Sequence, residues 1–572
     1  MVKADILFYN GKIYNTPFRR FFDGYFSIKG EKILHMGKGE VPRDIEAGRK
    51  VDLEGKWVIP GLIDSHMHVE SSMVSPLSFA KVLSSYGVTT VVSEPHEIAN
   101  VKGIEGVYRM IEAGKEIPID IYYAIPSSVP STSEEFETTG GVIDMPELIE
   151  LARHPMVKCL GEVMNTNSVL NNPDSKENQF TSYLREHYPN MPLEGHVPRI
   201  IGTDLNEYVY TGIQSDHTEH DLAETIDRIY NGVLFQMQDK MVKPEIVKAI
   251  VENDLYNNLA IVTDDTPTST LINKGHLNRV VMDVVEAGMD FEKAVFCRTK
   301  TPADRMRLYD RGQIMPGLLA DFCILDTIDE ISPVQTYKNG KKIYDKEIGL
   351  TFKTGERTFP DSFYETMKVK EIREEFFAVK APIDNGTIKM KGLMVENGST
   401  RTPGIEEEVE VRDGYVILPK GLNKLTVIER HAKNGNIFTC LAGGSLAIDG
   451  AVASSVAHDH HNLIVSGRVD SDMALAAQTV VDNCGGFAVV KDGKVLAQCA
   501  LEICGLMSDR DPISVAKDLT EVEETMRELG YDHYDPIMSF ATTCLPVSMF
   551  YKATDKGLVD VLHSEFVPLF GE

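Results

Sequence analysis

The chain has 572 residues, 42% of them hydrophobic and 25% charged, with a single tryptophan (Trp57) and a formal net charge of −28 at pH 7. That length exceeds what one hydrophobic core serves, so two or three domains are expected. An acidic excess of this size argues against binding a nucleic-acid backbone, and no run approaches the roughly 20 apolar residues of a membrane helix.

The stretch Met1-Val-Lys-Ala-Asp-Ile-Leu lacks the apolar core of a signal peptide. The eight cysteines are scattered, with Cys499 and Cys504 the closest pair. They read as reduced, mostly buried thiols of a cytoplasmic protein. Residues 5–9, 12–14, 24–29 and 32–36 are short β-like runs separated by turns, and Asn10-Gly11 is a strong hairpin signal. A small β-domain is therefore expected over residues 1–57.

From Val58 the pattern changes. An apolar run broken by Pro60 and Gly61 reads as the start of a buried strand that ends in His66 and His68. Side chains two apart on a strand share a face, so both imidazoles can reach one ion. The bland reading is a pair of satisfied core histidines. Downstream, apolar strands at 89–95, 119–126 and 259–265 alternate with helical stretches at 107–113 and 221–230. A parallel (β/α)8-type barrel requires this alternation, here over residues 58–309. The β pattern returns at 310–326, and Asn339-Gly340 marks another turn. The simplest account is that 310–352 completes the small β-domain, with the barrel inserted between its halves. A charged connector at 353–375 leads to a C-terminal α+β domain over 376–572, with a helical pattern from 513 to 529. The expected class is α/β: a metal-dependent barrel inserted in a small β-domain, plus that third unit.

Candidate ligands cluster at the ends of the barrel strands: His66, His68, His96, Glu162, His196, His217 and Asp264. Residues there form the active face of such a barrel. One histidine after a strand is more often a cap or a core residue. Several, closed by a carboxylate, are hard to explain structurally. Imidazoles and carboxylates without a thiolate fit zinc, manganese or iron.

Several motifs extend the pattern: Pro60-Gly-Leu-Ile-Asp-Ser-His-Met-His-Val-Glu-Ser-Ser-Met73, Pro95-His-Glu-Ile-Ala-Asn100, Gly161-Glu-Val-Met-Asn165, Gly195-His196, Ser215-Asp-His217, Thr263-Asp-Asp265 and Gly275-His-Leu277. The C-terminal unit adds Ala453-Ser-Ser-Val-Ala-His-Asp-His-His-Asn462 and Glu565-Phe-Val-Pro-Leu-Phe570. With these the chain resembles the adenine deaminase family of the amidohydrolase superfamily over nearly its whole length. The resemblance implies hydrolysis of adenine to hypoxanthine and ammonia by a metal-activated hydroxide, in purine salvage. It implies two divalent ions per chain, manganese or iron(II) before zinc, and a homo-oligomer, dimer or higher. His66 and His68 would hold the first ion with Asp264, and His196 and His217 the second. Glu162 would bridge the two, in preference to Lys158, which lies near where many superfamily members carry a carbamylated lysine. Asp264, Glu162, Glu97 and Glu94 would carry the chemistry, and His96, Glu97 and His276 would bind the purine.

Two positions depart from the family pattern: Glu94 stands where an aspartate is usual, and His460 where a small residue is. The cluster His458-Asp459-His460-His461 lines the barrel mouth, makes a separate metal site or forms a hydrogen-bonded turn. If the strand continues through Asp264, Asp265 is expected on the opposite face. Two competing readings are an amidohydrolase acting on another 6-substituted aminopurine or a cyclic amide, and a metal-free barrel serving as a scaffold or binding protein. The full ligand set speaks against the second.

Overall fold

A computed structural model describes residues 3–198, 200–352, 359–369 and 371–571. At its centre, Leu62–Met67, Val88–Ser93, Asp120–Ile125, Val157–Val163 and Leu193–Gly195 form one parallel sheet, and Ser215–Asp216, Leu234–Met237 and Leu259–Ile261 a second. Strand order in space follows chain order. The sheet edges meet where Gln214 N donates to Leu193 O (3.2 Å) and Asp264 N to His66 O (3.2 Å), closing the strands into a barrel. Leu62–Met67 and Val88–Ser93 are buried at every position, as parallel strands covered on both faces must be. Helices such as Pro76–Ser85, Leu222–Tyr230 and Pro244–Glu252 connect successive strands, and Leu277–Glu286 follows the last of them. The architecture is an α/β barrel with a further C-terminal unit.

Strands from both sides of the barrel segment share one sheet. Trp57–Pro60 pairs antiparallel with Phe322–Leu325 and parallel with Ala4–Asn15. Asn10-Gly11 is not the hairpin turn its sequence suggests. It is a bulge inside the single strand Ala4–Asn15, with Asn10 at φ 58° and a register shift between Phe8 and Gly11. The bulge lets the strand change partner, from Ala47–Asp52 to Trp57–Pro60. Gly11 is required there, because a Cβ would fall 2.4 Å from Leu53 Cδ1. Asn339-Gly340 does join paired strands, Pro333–Lys338 and Lys341–Asp345.

Of the expected connector, residues 353–358 and 370 lie outside those described. Within the rest, Asp361–Phe363 and Glu374–Phe377 form short 3-10 turns that bury Phe363 and Phe377. The C-terminal unit is a nine-stranded sheet running from Tyr415–Ile417 to Lys494–Ala500, with helices Asp470–Asp482 and Pro512–Glu528. It docks on the barrel through backbone bonds such as Ser75 N to Ser508 O (2.9 Å) and Ser508 N to Met73 O (3.0 Å). Asn462 Nδ2 also donates to Thr138 O (2.9 Å), and Thr138 N to Asp555 Oδ1 (2.9 Å). The loop carrying His458 to His461 therefore faces the barrel.

Candidate active site

The strand-end side chains converge inside the barrel mouth. His66 Nε2 and His68 Nε2 lie 3.5 and 3.2 Å from the same Asp264 oxygen. Asp264 can reach them because its backbone turns left-handed (φ 56°) just after the hydrogen bond that closes the barrel. Glu162 stands between two sets of imidazoles. Its Oε1 is 3.4 Å from His68 Nε2, and its Oε2 is 2.9 Å from His196 Nδ1 and 3.0 Å from His217 Nε2. All are buried apart from His196, whose side chain is 33% exposed and so marks the way in.

These residues fit a metal. Oxygen and nitrogen ligands about 2.0–2.1 Å from a tetrahedral ion lie about 3.3 Å from one another, close to the longer separations here. His66 Nε2 is buried with no hydrogen-bond partner among the described residues. A donor set of imidazoles and carboxylates suits a divalent ion. Burial alone would raise both carboxyls, but the surrounding imidazoles hold Glu162 and Asp264 well below the usual carboxylate range. Both are therefore anionic and available as ligands at neutral pH.

An amidohydrolase family model matches residues 57–348, and a model of the adenine deaminase C-terminal domain matches residues 399–565. An adenine deaminase from Clostridium perfringens is 41% identical over 577 residues, covering 100% of both chains. The adenine deaminase 2 of Shouchella clausii is 40% identical, covering 99% of each. The chain belongs to the adenine deaminase family. Among solved structures, a beta-aspartyl dipeptidase from Fervidobacterium islandicum AW-1 aligns at 15% identity and a TM-score of 0.47, covering 62% of this chain and 100% of that one.

Around the cluster, this family member places the remaining predicted residues as follows. Glu94 is buried, with its Oε1 3.8 Å from His96 Nδ1. It packs over Gly161, where a Cβ would fall 1.8 Å from Glu94 Oε2, so the longer side chain has room only because residue 161 is glycine. Glu97 sits in the first turn of helix His96–Ala113, and its Oε1 accepts from Ser71 Oγ (2.5 Å). The neighbouring Glu70 carboxyl is pushed up to about 8 by burial and by the charge on Glu97. His276 stands apart from the other imidazoles. Its Nε2 lies 3.1 Å from Thr263 Oγ1, which in turn donates to Asp64 Oδ2 (2.7 Å). Burial and the Arg298 and Arg279 charges push its pKa down to about 3, so it is neutral. Lys158 is not among the grouped ligands, and its Nζ lies 4.6 Å from the centre of the Tyr122 ring.

Asp265 differs from the sequence expectation. The strand ends at Ile261, so the two-residue alternation no longer applies. Asp265 Oδ1 lies 2.5 Å from Ser71 Oγ, on the side of His68 and Glu97. Sequence reasoning also missed Gln238, whose Nε2 donates to His217 O (2.8 Å) and Asp264 Oδ2 (2.5 Å). Its one signal was a polar residue directly after the buried strand Leu234–Met237. Asp216 was overlooked as well, although it precedes His217. Its Oδ1 accepts from Val197 N (3.1 Å) and Thr218 N (2.9 Å), the residues following His196 and His217.

Proposed function

We propose that this protein is a metal-dependent hydrolase that converts adenine to hypoxanthine and ammonia. The observation that carries the reading is Glu162, one carboxylate shared between His68 on one side and His196 and His217 on the other. It occurs in a chain similar over its full length to proteins named adenine deaminase.

In this reading His66, His68 and Asp264 would hold one divalent ion and His196 and His217 a second, with Glu162 within reach of both sets of imidazoles. Manganese or iron(II) are the preferred ions, ahead of zinc. Such ions, when bound, lower the pKa of a water toward ~7 and so supply a nucleophile at neutral pH. Asp264 accepts the proton of the attacking water and returns it to the departing amine. The C6–O bond forms first, as the C6=N1 π bond opens and N1 takes a proton; the exocyclic C6–N bond breaks in a second step, and ammonia leaves. Gln238 turns one Asp264 oxygen away from that traffic, leaving Oδ1 to face His66 and His68. The ring nitrogens need acidic partners as the tetrahedral carbon forms. Glu94 and Glu97 are the carboxyls we assign to this task, with His96 beside Glu94 and Ser71 bridging Glu97 and Asp265. His276 acts one residue further out, fixing Thr263 next to Asp264.

The same reading takes 1–57 with 310–352 as the small β-domain, 58–309 as the barrel and 376–572 as the C-terminal domain. It places the protein in the cytoplasm as a dimer or larger homo-oligomer. Among the described residues, no helix is long and apolar enough to cross a membrane. Ammonia release from a panel of purines and cyclic amides tests the substrate. Adenine should be turned over best, and a cyclic amide preferred over every purine would overturn the reading.

A further inference from the structure

The mechanism above makes no use of the turn His458-Asp459-His460-His461. This turn is built with care. Arg430, fully buried, donates from Nε to His461 O and from an Nη to Cys504 O. Asn462 ties its end to the barrel at Thr138. Held this way, Asp459 Oδ1 lies 3.4 Å from His96 Nε2 and 3.3 Å from His458 Nδ1. The ligand atoms of the three side chains fall within 4.8 Å of one another. All three residues are at most 5% exposed. Asp459 Oδ2 is also buried and without a hydrogen-bond partner among the described residues.

The spacing is informative. Charge-assisted hydrogen bonds between nitrogen and a carboxylate run about 2.7–2.9 Å, and these contacts are longer. They match the roughly 3.3 Å edge between nitrogen and oxygen ligands of a tetrahedral ion. The same spacing recurs in the cluster already described, at His66–Asp264 and His68–Glu162.

Charge points the same way. Glu70, Glu94, Glu97, Glu162, Asp264 and Asp459 are all buried. Where a cationic side chain approaches one of these carboxylates among the described residues, it is an imidazole and not a lysine or arginine. Buried carboxylates at this density need protons or bound cations. Ions held by Glu162 and Asp264 would leave the Glu97 and Asp459 side with imidazoles alone for counter-charge.

We propose that His96, His458 and Asp459 form a third divalent-cation site, shared between the barrel and the C-terminal unit. Two imidazoles and a carboxylate suit zinc, manganese or cobalt. Three protein ligands leave one tetrahedral position open to a water or a substrate atom. His96 couples this site to the first cluster, since its Nδ1 lies 3.7 Å from Glu162 Oε1. The proposal takes the two-ion reading of the Glu162 cluster as its baseline.

The test counts metal in protein stripped with a chelator and then equilibrated with cobalt(II). The parent should bind a third equivalent beyond the ions of the Glu162 cluster. His458→Gln and Asp459→Asn should each lose one equivalent, and His66→Ala should keep the His458-dependent one. Should Asp459→Asn prove insoluble, the parent and His458→Gln decide the matter. A parent that binds two equivalents, unchanged in His458→Gln, overturns this site and leaves the two-ion reading standing. Such a result would make the His96–Asp459–His458 contact an ion pair only. A parent that binds none overturns both.

Discussion

Asp216 carries more of the site than its place outside the ligand set suggests. Its carboxylate is fully buried and accepts from Arg228 Nε (2.6 Å) and Thr218 Oγ1 (2.8 Å), with His220 Nε2 at 2.7 Å. It also accepts from the backbone N–H groups of Val197 (3.1 Å) and Thr218 (2.9 Å). One side chain thus fixes the backbone carrying both His196 and His217. Asp216→Asn keeps the shape and removes the charge. It strands Arg228, itself fully buried, and turns an amide donor toward other donors. Removing one partner of a buried ion pair costs about 3–5 kcal/mol, and losing a group that orients metal ligands costs about 10–100-fold in metal affinity. Urea unfolding should show the first effect, and titration of the metal-free protein with manganese the second. Burial would raise the Asp216 pKa, but His220 and Arg228 hold it below its ordinary value of 3.8. Its stabilisation is therefore present above that value and lost as pH falls through the folded pKa. Acid should accordingly destabilise the parent more steeply than the asparagine variant below pH ~4. A variant within about 1 kcal/mol of the parent, with unchanged metal affinity, would refute this reasoning.

Other substitutions separate the roles. Asp264→Asn should lower kcat about a hundredfold or more while part of the metal stays bound, as steady-state kinetics and metal analysis will show. Activity near the parent rate would move the base to Glu94, Glu97 or His458. Glu162→Gln should abolish most activity, whereas Lys158→Ala should retain it. The reverse pattern, with bicarbonate dependence, would make a carbamylated lysine the bridge. Asp265→Asn should raise KM more than it lowers kcat, because Asp265 meets Ser71 beside Glu97 and not the shared Asp264 oxygen. An equal fall in kcat would place it among the groups that act on the reacting atoms.

The barrel was legible because its strands are short, β-prone runs that end in chemistry-bearing residues, as in Leu62–Met67 with His66 and, just beyond it, His68. The shared sheet was legible from β-like runs on either side of that segment. Local rules failed where tertiary pairing chose otherwise. Asn10-Gly11 has the composition of a two-residue turn, yet the strand needs a bulge there to serve two neighbours. Helix His96–Ala113 begins eleven residues earlier than its apolar pattern suggests, because its first turn is filled with site residues, and Gly103 kinks it at φ 59°. The expectation for Asp265 holds only for a continuing strand, and this strand stops at Ile261, before a left-handed Asp264. Gln238 and Asp216 act through contacts across strands and loops, which no spacing within one segment encodes.

The sharpest test of the proposed function is the conversion of adenine by protein purified without chelator and loaded with manganese. Hypoxanthine and ammonia should appear in equal amounts. Chelation should stop the reaction, manganese should restore it, and His66→Ala and His68→Ala should fail to recover under the same loading. Undiminished turnover in chelated protein, or in either histidine variant, would contradict a deaminase built on the His66–His68–Glu162–Asp264 cluster.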